Sequence, residues 1–320
     1  MDVLSDVITV ARTGRPRSAW VRWHAPWGQR FPAVPGAVAF QVVLEGSCWF
    51  LAPGAEPVRL DAGDVLFLPH GSGHALADDP ATPLTAPVCK PDEPGDAYVA
   101  DTVDRLGLSG PATVVLCGAY ELDPTRTHPL LLTLPDFLHL PADPVRRPEL
   151  HAAVTLLAAE VASPRPGTGA IVPALLDTLL MYVLRSRLAE RPADGPATGW
   201  AAALADPAVA AALHALHNAP AEPWTVGKLA AEVGLSRAAF ARRFASTVGR
   251  PPLGYLTWWR MSTAAHHLRT TDAPLRVVAA RVGYGSEFAF AAAFKRAHGM
   301  APGTYRSYAA HRDQLADEHG

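Results

Sequence analysis

The sequence predicts a multidomain α+β chain: an N-terminal β-barrel, a helical hairpin, and an all-α C-terminal domain holding a doubled helix-turn-helix. Three observations point there. Short apolar runs with strand periodicity, separated by Gly/Pro turns, fill much of the first 143 positions. Apolar residues at helical spacing replace them from Glu149 onward. One helix–Gly–Ser–helix pattern then occurs twice between Trp224 and Arg306. At 320 residues, 49% hydrophobic and 18% charged, the chain has room for two or three folded domains. The expected divisions are 1–143 for the barrel, 144–190 for the hairpin, 191–204 for a linker, 205–312 for the all-α domain, and 313–320 for a tail.

Charge is unevenly placed. From Ala221 to Arg312, 13 lysines and arginines stand against 4 acids, a net of +9; from Met1 to Pro220 the balance is 15 against 23, a net of −8. A basic module joined to an acidic one is the electrostatic footprint of a nucleic-acid-binding domain attached to something else. Met1-Asp-Val-Leu-Ser-Asp6 is acidic where a secretory signal needs positive charge. Cys48, Cys89 and Cys117 are too few, and odd in number, for a secreted disulfide framework. The longest apolar run, Ile171 to Leu184, is broken by Asp177, which argues against a membrane span. The expected compartment is the cytoplasm.

In chain order, residues 2–12 read as a short amphipathic helix with Leu4, Val7 and Ile8 inward. Strands follow at Trp20–His24, Val38–Leu44, Ser47–Leu51, Val58–Leu60, Asp64–Leu68 and His74–Leu76. A stretch rich in Pro and acid then runs to Thr113, and is either a lid or partly disordered. Thr113–Leu122 is a buried strand, and the apolar Leu130–Leu140 leaves the barrel. Leu150, Val154 and Leu157, then Leu175, Leu179, Tyr182 and Val183, mark two helices joined by Ser163–Gly169. This antiparallel pair either packs against the barrel or mediates a homodimer. Arg191–Gly199 has linker composition, and Asp206–His217 begins the last domain.

The last domain carries the repeat. In each copy a short helix stops at a glycine (Gly234, Gly283), which accepts a left-handed C′ turn. A serine (Ser236, Ser286) then caps the second helix. Phe240 and Phe244, and Phe290 and Phe294, four apart, mark each buried face. One copy alone reads equally well as an ordinary helical hairpin; two copies around the long helix Pro252–Leu268 do not. The arrangement, with the closing Gly299-Met-Ala-Pro-Gly-Thr-Tyr-Arg306, resembles the DNA-binding domain of the AraC/XylS family of bacterial transcription regulators. One departure is Lys228, where a carboxylate would complete a capping box with Thr225. The resemblance implies a sequence-specific DNA-binding regulator with double-stranded DNA, RNA polymerase and a second copy of itself as partners. It places Arg237, Ala238, Ala241 and Arg242 of the first motif, just after the capping Ser236, at the major groove, with Arg242 suited to guanine and Arg237 and Arg243 to the side, beside phosphate. Beside the capping Ser286, the matching second set is Glu287, Phe288, Ala289 and Ala292, which offers no long donor; Lys295 and Arg296 are left for phosphate, and a contact of Phe288 with a thymine methyl is one reading of its place. Arg260 is either a backbone contact or a structural partner.

Gly63-Asp-Val-Leu-Phe-Leu-Pro69-His-Gly71-Ser-Gly-His74-Ala-Leu-Ala-Asp78 is similar to the second cupin motif, Asp78 standing in the place of its Asn. The first cupin metal motif is missing: Ala39 stands where its Glu is expected, and Pro32–Pro35 where its His-x-His is expected. A cupin isomerase or oxygenase carrying a DNA-binding tail is therefore the less favoured function. The resemblance implies a cupin-like sensor for a small molecule or an oxidant. Related domains often carry a histidine at the position of Gln41, which with His74 and Cys117 would make a metal or redox centre. Three alternatives stay open for Gln41, His74, Cys89 and Cys117: a zinc ion recruiting His70, His74, Cys89 and Cys117; a thiol switch; or an organic effector in an apolar pocket.

Overall fold

The structure, a computed structural model, describes residues 2–11, 17–85, 100–101, 110–121, 128–189 and 199–317. The chain forms two compact units, which do not follow the expected boundary at residue 143. One comprises Gly14–Glu121 and Leu134–Arg187; the other comprises Met1–Thr13, Leu122–Thr133 and Leu188–Glu318.

The first unit is the barrel with its hairpin. A six-stranded sheet has the order β10-β6-β3-β9-β1-β8 and a four-stranded sheet the order β2-β7-β4-β5. The strands are β1 (Arg17–His24), β2 (Gly28–Phe31), β3 (Ala37–Glu45), β4 (Ser47–Leu51), β5 (Val58–Asp61), β6 (Val65–Leu68), β7 (His74–Ala77), β8 (Ala100–Asp101), β9 (Ala112–Glu121) and β10 (Leu138–Leu140). Alternate residues face a shared interior, because side chains on a pleated strand point to opposite faces. Trp23, Val43, Leu66, Leu68 and Val115 of the larger sheet meet Phe31, Cys48, Phe50, Leu60 and Leu76 of the smaller. On the other side, Phe40 lies over Gly118, its partner on β9. A Cβ at Gly118 would stand 2.0 Å from the Phe40 ring, so only glycine fits there. The segment expected to leave the barrel does so only in part: β10 pairs with β6, pinned by His139 Nε2 to Asp64 Oδ2 (2.8 Å).

Helices α3 (Pro148–Ala162) and α4 (Thr168–Ala189) bury Leu150, Val154 and Leu157, then Leu176, Leu179, Leu180 and Val183. By length and composition α4 is apolar enough to cross a membrane, contrary to the reading of Asp177 as an interruption. It is tied to the sheet by the buried Tyr120 of β9, which donates its hydroxyl to Asp177 (3.2 Å). Leu156 and Ile171 remain exposed on the hairpin.

The second unit begins with α1 (Val3–Ala11), whose Val3, Leu4 and Val7 are buried and whose Asp2 caps the N–H groups of Leu4 and Ser5. It continues with α2 (Pro129–Leu132), α5 (Gly199–Ala205), α6 (Pro207–Asn218), α7 (Val226–Glu232), α8 (Arg237–Val248), α9 (Pro252–Thr270), α10 (Leu275–Arg281), α11 (Glu287–His298) and α12 (Pro302–Asp317). Residues 199–204, expected in the linker, are helical and bury Trp200 because its indole packs edge-on to His128.

A buried polar chain ties this unit to its N-terminal helix. The Leu130 N–H donates to His128 Nδ1 (3.0 Å), so the proton of that ring sits on Nε2, which donates to the Tyr255 hydroxyl (3.3 Å). Tyr255 in turn donates to His217 Nε2 (2.7 Å), and His217 Nδ1–H donates to Asp6 (3.3 Å). The backbone bond at one end and the carboxylate at the other fix the direction of every hydrogen bond between them. Burial holds both histidines below their ordinary pKa, His128 most strongly, so both stay neutral.

Candidate nucleic-acid interface

Helices α7 and α8 form the first helix-turn-helix unit, α10 and α11 the second, and α9 joins them. The turns are built alike. Gly234 and Gly283 hold φ of 67° and 78°. The Leu235 N–H reaches the Ala230 carbonyl (2.9 Å), and the Tyr284 N–H reaches the Ala279 carbonyl (2.9 Å). These are the bonds of a left-handed helix stop. Ser236 and Ser286 then accept the N–H groups of Ala239 (3.3 Å) and Ala289 (3.2 Å). Both serines therefore have a capping role, whatever else they touch. Phe240, Phe244, Phe290 and Phe294 are fully buried, as their spacing required. At Gly283 an added Cβ would stand 2.8 Å from the Ala221 carbonyl and the Arg260 guanidinium, so glycine is needed for space as well as conformation.

The exposed residues of α8 include Arg237, Ala238, Arg242 and Arg243. Arg242 projects with no ion pair among the described residues. Arg243, expected beside phosphate, is exposed and pairs its guanidinium with Asp206, the residue capping α6. Arg260 is structural: it donates to the carbonyls of Pro220 (2.6 Å) and Glu222 (2.8 Å). Lys228 explains the missing capping box. Thr225 still caps α7, while the lysine pairs with Glu222 (3.3 Å) over the Trp224 ring. On α11 the exposed residues include Glu287, Phe288, Ala289, Ala292, Lys295 and Arg296.

The barrel centre is neutral. His74 gives its Nδ1–H to the Ser72 carbonyl (3.2 Å), leaving Nε2 to accept from the Gln41 amide (3.1 Å). Phe31 stacks on the imidazole at 4.7 Å and Phe50 tilts against it at 5.7 Å. Burial pushes His74 down to about 4, against a small opposing effect of its Ser72 hydrogen bond. Gln41 keeps a buried carbonyl oxygen without a hydrogen-bond partner, and pairs across the sheet with Cys117. Three of the four sensor residues are thus neighbours, while Cys89 lies outside the described residues.

The zinc expectation fits less well. His70 is committed to the Leu134 carbonyl (2.9 Å). Among the described residues no three His, Cys, Asp or Glu side chains are placed to share a metal, where zinc takes three or four. Cys48 is no substitute, since burial pushes its thiol up to about 12.

Comparison with known proteins agrees with this geometry. The cupin family matches residues 2–189 and the helix-turn-helix domain family residues 229–308. A Streptomyces lividans protein named as an AraC-like transcription regulator is 39% identical over 311 residues, covering 96% of this chain and 99% of that one. A Streptomyces antibioticus protein with the same name is 37% identical over 312 residues, with the same coverage. The solved DNA-binding domain of AdpA, in complex with a target DNA, is 37% identical, covers 34% of this chain and 98% of that one, and has a TM-score of 0.32. The chain belongs to the AraC-like transcription regulators, with a cupin domain ahead of its DNA-binding helix-turn-helix domain.

Proposed function

We propose that the chain is a signal-responsive regulator: the barrel senses a small molecule or an oxidant, and the two helix-turn-helix units bind an operator. The observation that carries the DNA half is the matched pair of capped recognition helices, with Arg242 exposed on one and Lys295 and Arg296 on the other. Arg242 pairs with a guanine edge, while Arg237, Lys295 and Arg296 meet phosphates. Ser236, Ala238, Ser286, Glu287 and Phe288 line the same surfaces. The exposed Leu156 and Ile171 support a homodimer through the hairpin, and RNA polymerase is a further partner in this reading. An enzyme reading gains no support from Ala39, which stands in the place of the metal-binding Glu.

Replacing Arg242 with alanine is expected to cost about 1–3 kcal/mol at one base pair and to relax preference there. Lys295→Ala is expected to weaken all sequences alike. Titrating both variants against a base-substitution series checks this, and uniform losses in both would remove Arg242 from base readout.

For the sensor half, the cross-strand pairing of Cys117 with Gln41, which hydrogen-bonds His74, supports oxidation of the Cys117 thiol by hypochlorite or peroxide to a sulfenic acid, with reduction of the oxidant. DNA affinity is to be measured for the wild type and Cys117→Ser with either oxidant and with a chelator. Loss of response in Cys117→Ser supports the thiol. If no treatment changes wild-type affinity, the signal is an organic ligand instead.

A further inference from the structure

The second recognition helix carries a different chemistry from the first. Aligned on their capping serines, Arg237 corresponds to Glu287, Ala238 to Phe288, and Arg242 to Ala292. The second face has therefore lost both arginines and gained an aromatic ring. Phe288 is 89% exposed, the highest value among the large hydrophobic side chains of the described residues. Phe290 and Phe294 on the same helix are fully buried, so Phe288 is surplus to the core.

Phe288, Ala292 and Lys295 stand at i, i+4 and i+7, one stripe along α11. The stripe runs from an apolar tip through a small residue to a cation. Such a stripe suits a helix entering the major groove tip first: the ring reaches base edges, the alanine allows close approach, and the lysine meets phosphate. In the major groove the apolar feature of the bases is the 5-methyl group of thymine. The basic charge of the surrounding domain complements DNA, and Glu287 beside the ring discourages a phosphate there.

We infer that Phe288 is a specificity-determining residue that packs on a thymine 5-methyl, so that the second half-site is read by methyl burial and not by hydrogen bonding. This rests on the DNA-binding reading above and adds a base identity to it.

The test uses the full chain and a duplex recovered by selection from a randomised library, remade with deoxyuridine for thymine one position at a time. Deoxyuridine removes the methyl and leaves the hydrogen-bonding edge unchanged. Wild type is expected to lose about fourfold in affinity at one thymine of the second half-site, the worth of one buried methyl. Phe288→Ala is expected to bind both duplexes alike, and Phe288→Leu to keep part of the difference. Thermal melting of each variant separates a lost contact from a lost fold, and an exposed position is expected to leave the melt unchanged. Wild-type affinity indifferent to every thymine methyl overturns the inference. So does a Phe288→Ala variant that retains the full difference. Selection that recovers no preferred duplex would instead defeat the DNA-binding reading beneath it, an outcome recognisable before any deoxyuridine is introduced.

Discussion

Tyr255→Phe is expected to destabilise the helix-turn-helix unit by about 2–4 kcal/mol, although it removes a single oxygen and leaves no cavity for a side chain to fill. The hydroxyl is the middle of a one-way chain, accepting from His128 and donating to His217. Without it, a buried N–H on one histidine and a buried lone pair on the other are both orphaned. Each orphan costs about 1–3 kcal/mol, whereas the bond itself contributes less. Water cannot compensate, since Tyr255 and His128 are fully buried and His217 nearly so. Denaturant unfolding followed by exchange of the α9 amides is the measurement. A variant within about 0.5 kcal/mol of wild type would show that the hydroxyl is not the bridge, since changes that small are ordinary for a substitution that breaks nothing. Asp6→Asn gives the graded control: an acceptor remains for His217 Nδ1–H, so the loss is expected to be smaller than for Asp6→Ala. Because Asp6 lies on α1, the same variants test whether the first turns of the chain belong energetically to the DNA-binding unit, as their packing shows.

That network also marks where sequence reading stopped. The repeat was legible because its signals are local: a glycine stop, a serine cap three residues before the N–H it accepts, and phenylalanines four apart. Asp6 and His217 are 211 positions apart, and nothing in their local spacing pairs them. In isolation Asp6 reads as the solvent face of a short helix, and His128 as part of a Pro-flanked loop. The partner of Arg243 was hidden for a related reason. Helical spacing correctly placed the arginine on the outside of α8, but spacing says nothing about Asp206, a cap on another helix. The barrel centre was half legible: the Pro-Gly turn aimed His74 inward, and sheet register then set Gln41 between it and Cys117. What the pattern did not reveal is that His74 has both ring nitrogens committed.

Acidification is expected to destabilise the barrel unit through His74. An unfolded histidine titrates near 6.5, while burial among Phe31, Phe50 and Gln41 brings His74 down to about 4. Between those values the unfolded chain binds a proton that the folded one refuses, so stability falls as pH falls through this window. Above pH 6.5 both states are neutral at this residue and it adds no slope. At about 1.4 kcal/mol per pKa unit, the full window is worth about 3 kcal/mol, an upper figure because carboxylates elsewhere begin to titrate near its lower end. The refusal has a structural cause beyond burial: Nε2 accepts a hydrogen bond from the Gln41 amide, and protonating it would turn a donor toward a donor. The measurement is urea unfolding of the barrel at a series of pH values from 7 to 5, with wild type compared with His74→Leu. The leucine variant starts less stable, because it orphans the Gln41 amide, but its slope with pH is expected to be shallower. Parallel slopes would mean that His74 is protonated in the fold, and that its neutral pairing with Gln41 is wrong. Gln41→Glu opposes the effect: a carboxylate facing Nε2 favours the imidazolium, so His74 in that variant is expected to titrate higher and the acid sensitivity to shrink.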